Sequence, residues 1–192
     1  MKKLLIVNGH PDKESFNHAL SKAYRESAAE KNTEIDQINI GELNFNPNLA
    51  FGYRKITELE PDLEEAIQKI KAAEHLVWFF PMWWYGYPAI MKGFVDRTFL
   101  PRVFFNYKRG KLFPEQLLKG KTARLVITAD TVQWYDRWFM GRPAINQFKK
   151  GTLEFCGVKP VKVTYIAPIK DSTPQFRQKW LDRIKKTGAQ LA

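Results

Sequence analysis

The chain has 192 residues, 44% of them hydrophobic and 27% charged, with a formal net charge of +11 and one cysteine. That is one domain's worth of sequence with enough apolar residues to bury a core, which excludes an intrinsically disordered chain. No apolar run approaches the roughly 18–20 residues of a membrane helix, and the lone Cys156 excludes a disulfide framework or a cysteine-ligated metal cluster.

Strand and helix patterns alternate throughout, without a repeat or a linker. Leu4–Asn8 is a short apolar run, read as the first strand. The spacing of Phe16, Ala19, Leu20, Ala23, Tyr24 and Ser27 predicts a helix from about Ser15. Thr33–Ile40 alternates loosely with polar residues as a second strand. Glu60–Glu65 reads as a helix start, with Pro61 early and acids in the first turn. Leu76–Phe80 is a third strand, followed by a helix opened by Pro88. Ala123–Thr128 is a fourth strand, residues 144–156 are helical, and Val161–Tyr165 is a fifth strand. Thr173-Pro174 starts a terminal helix.

Five strands alternating with helices imply an α/β protein with a parallel sheet and right-handed crossovers, expected as one domain over 1–192. Strands one, three and four are continuously apolar, as central strands should be, whereas two and five admit polar residues as edges do. The expected order is 2-1-3-4-5, a flavodoxin-like doubly wound arrangement. Ligands then bind where the chain reverses direction between strands one and three, beyond the strands' carboxyl ends. That singles out residues 8–17, 81–87 and 128–136.

The first loop, Asn8-Gly9-His10-Pro11-Asp12-Lys13-Glu14-Ser15-Phe16-Asn17, leads into a helix whose opening amides lack helical partners. Such an end binds anions. Ser15 either caps the helix or bonds a phosphate, and His10 and Asn17 offer donors. Neither a G-x-G-x-x-G fingerprint nor a G-K-[ST] loop is present. The second loop, Pro81-Met82-Trp83-Trp84-Tyr85-Gly86-Tyr87-Pro88, sets four aromatics around a glycine, suited to stacking a flat heteroaromatic ligand or to forming an aromatic core. The third supplies Thr128, Asp130 and Thr131, with Trp134 and Tyr135 as aromatic walls. No metal site is expected, because His10, His18 and His75 lack ligand spacing with each other or with Cys156. No nucleophile elbow is present. A site with aromatic walls, a phosphate cradle and no nucleophile suits chemistry carried by a cofactor.

Gly9-His10-Pro11 with Ser15-Phe16-Asn17-His18-Ala19-Leu20 resembles the flavin-phosphate loop of the NAD(P)H quinone reductases related to DT-diaphorase. Phe80-Pro81-Met82-Trp83-Trp84-Tyr85-Gly86-Tyr87-Pro88, continuing through Phe94, is similar to the isoalloxazine-binding loop and following helix of that family. The resemblance implies a flavin, FMN by chain length with FAD as the alternative, and NAD(P)H as electron donor. It implies a quinone or similar aromatic acceptor, ping-pong turnover and a homodimer. It places His10, Ser15, Phe16 and Asn17 on the phosphate side and Met82, Trp83, Trp84, Tyr85 and Gly86 along the ring. Backbone amides of 83–86 are expected to face the charge on the reduced ring, and Tyr135 to serve the acceptor's oxygen. The third loop departs from the family, with Thr128-Ala129-Asp130-Thr131 where a Thr-Thr-Gly-Gly type turn is usual. Two alternatives stand beside the enzyme: a flavodoxin-like electron carrier, and a regulatory partner of a membrane transporter.

The dispersed Lys and Arg point away from nucleic acid and toward phosphate-bearing small molecules. The first apolar stretch ends at Asn8, too early for a signal peptide, so a cytoplasmic protein is expected. An FAD adenine would require a further platform, for which Tyr53 and Arg54 are candidates. In the aromatic stretch 99–113, Phe104, Phe105 or Tyr107 is expected at a dimer contact, large exposed apolar patches being interface markers.

Overall fold

The computed structural model describes residues 2–191. Five parallel strands, β1 (Lys2–Asn8), β2 (Thr33–Asn39), β3 (His75–Pro81), β4 (Thr122–Thr128) and β5 (Val161–Ile166), form one sheet in the order β2-β1-β3-β4-β5. This is the expected flavodoxin-like order. β3 is buried along its full length, whereas the edges β2 and β5 keep partly exposed polar positions.

Alternation divides the sheet's side chains between two cores. Leu4, Ile6, Val77, Phe79, Val126 and Ile166 face one side, under α1 (Phe16–Ala29) and the terminal helix. Leu5, Val7, Leu76, Trp78, Phe80, Leu125 and Ile127 face the other, under α2 (Pro61–Ala72) and α3 (Ala89–Thr98). Each fully buried Leu, Ile or Phe contributes roughly 1.5–3 kcal/mol, so burial on both faces accounts for the central strands. Close approach is required at Gly93 of α3. A Cβ there would lie 2.7 Å from the Pro47 carbonyl oxygen.

Helix starts match their sequence signals. Ser15 caps α1 by accepting from the His18 amide, and Glu60 precedes Pro61 at the head of α2. The third loop also holds a helix that its spacing does not predict, α4 (Gln133–Trp138), only six residues. The expected helix after residue 143 forms as α5 (Pro143–Ile145), continuing into a π-helical segment, Asn146–Glu154. Thr173 caps α6 (Pro174–Ala189), which packs against α1.

The aromatic stretch 99–113 corrects an expectation. Phe104 and Phe105 are buried, with Phe99 packed edge-on against Phe104 at 4.7 Å and Phe155 against Phe105 at 5.0 Å. They serve their own core rather than a second chain. Tyr107, Leu112 and Phe113 remain exposed.

Candidate active site

Sheet register brings the three singled-out loops together. Asn8 pairs with Phe79 at the end of β1, and Pro81 pairs with Thr128 at the end of β4. All three loops therefore leave the same edge of the sheet side by side.

Thr128 ties them. Its hydroxyl accepts a 2.7 Å hydrogen bond from the Asn17 amide nitrogen of the first loop, and its carbonyl accepts one of 2.7 Å from the Met82 backbone of the second. Asn17 and Thr128 are both buried, and Asn17 Oδ1 has no partner. An orphaned acceptor costs about 1–3 kcal/mol unless a ligand or water meets it. One of the donors expected for a phosphate is thus engaged in the protein's own frame.

The first loop is held by its own polar groups. Asn8 bonds Ser21 of α1 through its amide nitrogen and accepts from the His10 backbone through Oδ1. His10 Nδ1 accepts from the Asp12 amide at 3.0 Å, which assigns the ring proton to Nε2. Burial lowers the His10 pKa, favouring this neutral form. The ring meets Trp83 edge-on at 5.4 Å, joining first and second loops. With Ser15 as cap, the amides of Phe16 and Asn17 head α1 with no helical carbonyl before them. Phe16 is half-buried, with the Arg177 guanidinium over its ring.

The second loop is a tight turn. Trp83 and Gly86 exchange two backbone hydrogen bonds of 2.9 Å, which leaves Trp84 and Tyr85 at its tip. Both tip residues have left-handed backbones, φ 50° and 58°. Positive φ at both central positions defines a turn that usually selects Asn and Gly. Two bulky aromatics in that geometry store strain of order 1 kcal/mol or more each, a pattern that clusters at functional sites. Trp84 is 99% exposed. Of the amides of 83–86, the turn itself uses Trp83 and Gly86, which leaves those of Trp84 and Tyr85 outside its hydrogen bonds.

The third loop divides. Asp130 turns away from the other loops, its carboxylate accepting from the Lys170 backbone, and the Thr131 carbonyl accepts from the Tyr165 hydroxyl. In α4, Tyr135 stacks on Phe139 with centroids 5.2 Å apart and planes 14° from parallel. Trp134, Trp138 and Phe139 are also exposed, giving a ledge of aromatics beside the loops. Beneath it Asp136 is buried with neither carboxylate oxygen bonded; burial raises its pKa, opposed by Arg142. Asn8 and Asp136 lie within the singled-out loops, but the sequence reading gives neither a role. The signals were there: a polar residue ending an apolar strand, and Tyr135 and Phe139 one helical turn apart.

Tyr53, of the proposed adenine platform, borders two cavities: one of about 830 Å³ between residues 49–59 and 100–103, which no residue of the three loops lines, and one of about 360 Å³ that it shares with Tyr87 of the second loop. Among the described residues no group of His, Cys, Asp and Glu could hold a metal ion, and no helix is long and apolar enough to cross a membrane.

Comparison with known proteins agrees with this architecture. A family described as having a flavodoxin-like fold matches residues 2–187, and the chain belongs to it. Ribosyldihydronicotinamide dehydrogenase (quinone) from Mus musculus is 27% identical over 216 residues, covering 96% of this chain and 91% of the relative. The crystal structure of Smu.1420 from Streptococcus mutans has a TM-score of 0.84 at 29% identity, covering 98% of this chain and 99% of that one. An NAD(P)H:quinone oxidoreductase from Methanothermobacter marburgensis shares the fold, with a TM-score of 0.82 at 20% identity and coverage of 100% and 99%.

Proposed function

We propose that the chain is a flavin-dependent NAD(P)H oxidoreductase that reduces quinones or similar flat acceptors. The observation that carries this reading is the strained Trp83–Gly86 turn, with the Trp84 and Tyr85 amides at its tip, set beside the open head of α1. The residues fit a flavin. The amides of Phe16 and Asn17, with Ser15 and neutral His10, suit its phosphate. Met82, Trp83, Trp84, Tyr85 and Gly86 suit the ring, and Thr128 holds the third loop against them, while Thr131 is tied to Tyr165 of β5. The relatives' quinone dehydrogenase names support the same reaction class.

When bound, the flavin supplies the centre that accepts a hydride from NAD(P)H and passes electrons to the acceptor. The chain's own work is geometric and electrostatic. The Trp84 and Tyr85 amides would stabilise negative charge on a bound flavin ring, as preorganised donors do in an oxyanion hole. With a flavin bound, Trp84, Trp134 and Tyr135 would wall the pocket that donor and acceptor share. Tyr135 is the residue proposed to bond the acceptor's oxygen. FMN is favoured over FAD on chain length. Exposed Tyr107 and Phe113 are the surface proposed for a homodimer, which light scattering at micromolar concentration tests. The cytoplasm is the proposed compartment.

The deciding experiment is stopped-flow mixing of flavin-loaded protein with NADH or NADPH. The flavin absorbance should bleach and return on adding a benzoquinone. A flavin that neither nicotinamide bleaches would overturn the reductase reading, and mass spectrometry of the heat-released flavin separates FMN from FAD.

A further inference from the structure

The open flank of β5 carries a second concave surface, one that the proposed reaction does not use. A cavity of about 690 Å³ lies between β5 and the α4–α5 segment, bordered by Arg137, Arg142, Asn146, Lys149, Lys150 and Lys162 over an apolar floor. Arg124 also borders it, with one guanidinium nitrogen bonded to the Thr164 hydroxyl. Among the described residues no carboxylate lines the cavity. Glu154 reaches Lys149 at 3.8 Å.

Edge protection does not explain this arrangement. A single lysine on an exposed edge strand guards against unwanted pairing, and Lys162 fits that role. Arg124 shares the sheet with Lys162, but Arg137, Arg142, Lys149 and Lys150 come from the helical layer, the last three on unusual backbone. Arg142 is held at φ 55° and ψ 52°, a left-handed conformation that is uncommon outside glycine, and its buried Nε has no partner. Its amide donates to the Asp136 carbonyl at 2.9 Å, which fixes the residue in place. Asn146, Lys149 and Lys150 project from the π-helical segment, a geometry that recurs at functional sites. Backbone strain and mutual repulsion thus meet on one wall, where an anion would relieve the repulsion.

The chemistry of that anion follows from the lining. The volume falls within the roughly 300–1,000 Å³ of small-molecule sites. A concave cup, unlike a long stripe, suits a compact ligand. Arginine forks match phosphate oxygens bidentately, and lysines add point charge. We propose that this cleft is an anion site for a phosphorylated small molecule, held chiefly by Arg142 and Arg137 with Lys149 and Lys150. Two sources share this chemistry: the 2′-phosphate end of a phosphorylated dinucleotide donor, or a free phosphometabolite. The first rests on the proposed reductase reading. It is favoured by the chain itself, since Arg137 follows Tyr135 by two residues, a Cα span of at most about 7 Å.

The test is calorimetric titration of the purified protein with inorganic pyrophosphate at low salt, beside an Arg142→Asn/Lys149→Gln variant. Asn tolerates the left-handed backbone, and a lone Lys149→Gln variant, which keeps Arg142 beside buried Asp136, carries the same test with a smaller loss if the double variant is less stable. One-to-one binding should weaken about ten-fold or more in the variant. A Lys22→Gln/Lys185→Gln control, which removes the same charge from α1 and α6, should bind as the parent does. Equal affinity in parent and cleft variant, or an equal loss in the control, overturns the site. NADP⁺ and NAD⁺ then identify the source. Displacement of pyrophosphate by NADP⁺ alone, with loss of NADPH preference in the variant, assigns the donor's phosphate. NADP⁺ binding without displacement assigns a free anion. The pyrophosphate titration needs no flavin, so failure of the reductase reading, seen as protein that never bleaches, is separate from failure of the cleft.

Discussion

Thr128 is the residue on which the proposed flavin site depends, although the sequence marks it only as one hydroxyl of the third loop. It sits at the meeting point of three loops because β4 lies beside β3 and β3 beside β1. Thr128→Val keeps the shape and removes the acceptor of Asn17. A buried amide left without a partner costs about 1–3 kcal/mol. The variant should lose about that much stability in urea unfolding and bind FMN roughly ten-fold more weakly in a fluorescence titration. Asn17→Ala should weaken FMN binding by roughly ten-fold or more, through the Thr128 tie as well as any contact to phosphate. Trp84 gives the opposite sign. Glycine adopts the left-handed backbone without the penalty of about 1 kcal/mol or more that a bulky residue bears. Trp84→Gly should therefore keep or raise the thermal midpoint while quinone turnover falls. A drop in both would show that the Trp84 ring contributes to folding, against its 99% exposure.

At the scale of elements, the irregular stretch between β2 and α2 is positioned by α3. Arg97 of α3 is buried and reaches the carbonyls of Asn46 and Glu58 and, at 2.8 Å, the Glu60 carboxylate. Glu60 in turn accepts from the Asn46 amide. One guanidinium thereby substitutes for the backbone ladder that residues 43–60 lack. Removing one partner of a buried charge pair costs about 3–5 kcal/mol, and Glu60 is partly open to water, so the low end applies. Arg97→Met should destabilise by about 3 kcal/mol in chemical unfolding, and limited proteolysis should cut first within 43–60. This element could not be read from sequence, since an arginine inside an apolar helix looks like an exposed position until the fold buries it. The short α4 was missed for a related reason. Six residues give less than two turns of periodicity, and its aromatics are exposed rather than stacked on a core.

For the whole molecule, a net charge of +11 raises the cost of each added positive charge. His75, buried at the start of β3 and bonded through Nδ1 to the Thr122 hydroxyl, carries part of that cost. Burial, reinforced by Lys2, Arg124 and Lys162, lowers its pKa from 6.5 to about 4. Between these values the unfolded chain binds a proton that the folded chain refuses. The stabilisation is therefore complete above about pH 6.5 and is lost as pH falls through 4. Midpoints measured from pH 7.5 to 4 should fall across that window. The slope should flatten in His75→Gln, while an unchanged slope would assign the acid limb to other groups.

The sequence by itself determined the strand and helix alternation, the order of the sheet, the three loops and the helix caps. These depend on local spacing: apolar runs for buried strands, a 3.6-residue period for helices, and Ser, Thr or Pro at helix starts. Tertiary structure decided what required distant partners. It buried Phe104 and Phe105 in their own core, turned Asp130 toward Lys170, and joined Asn17 to Thr128 across 111 residues. It also set Trp84 and Tyr85 into left-handed backbone and gathered Arg137, Arg142, Lys149, Lys150 and Lys162 around one cavity. Side-chain direction in a loop is set by whichever partner the fold delivers to it. That partner lies far away in the chain, beyond the reach of local periodicity.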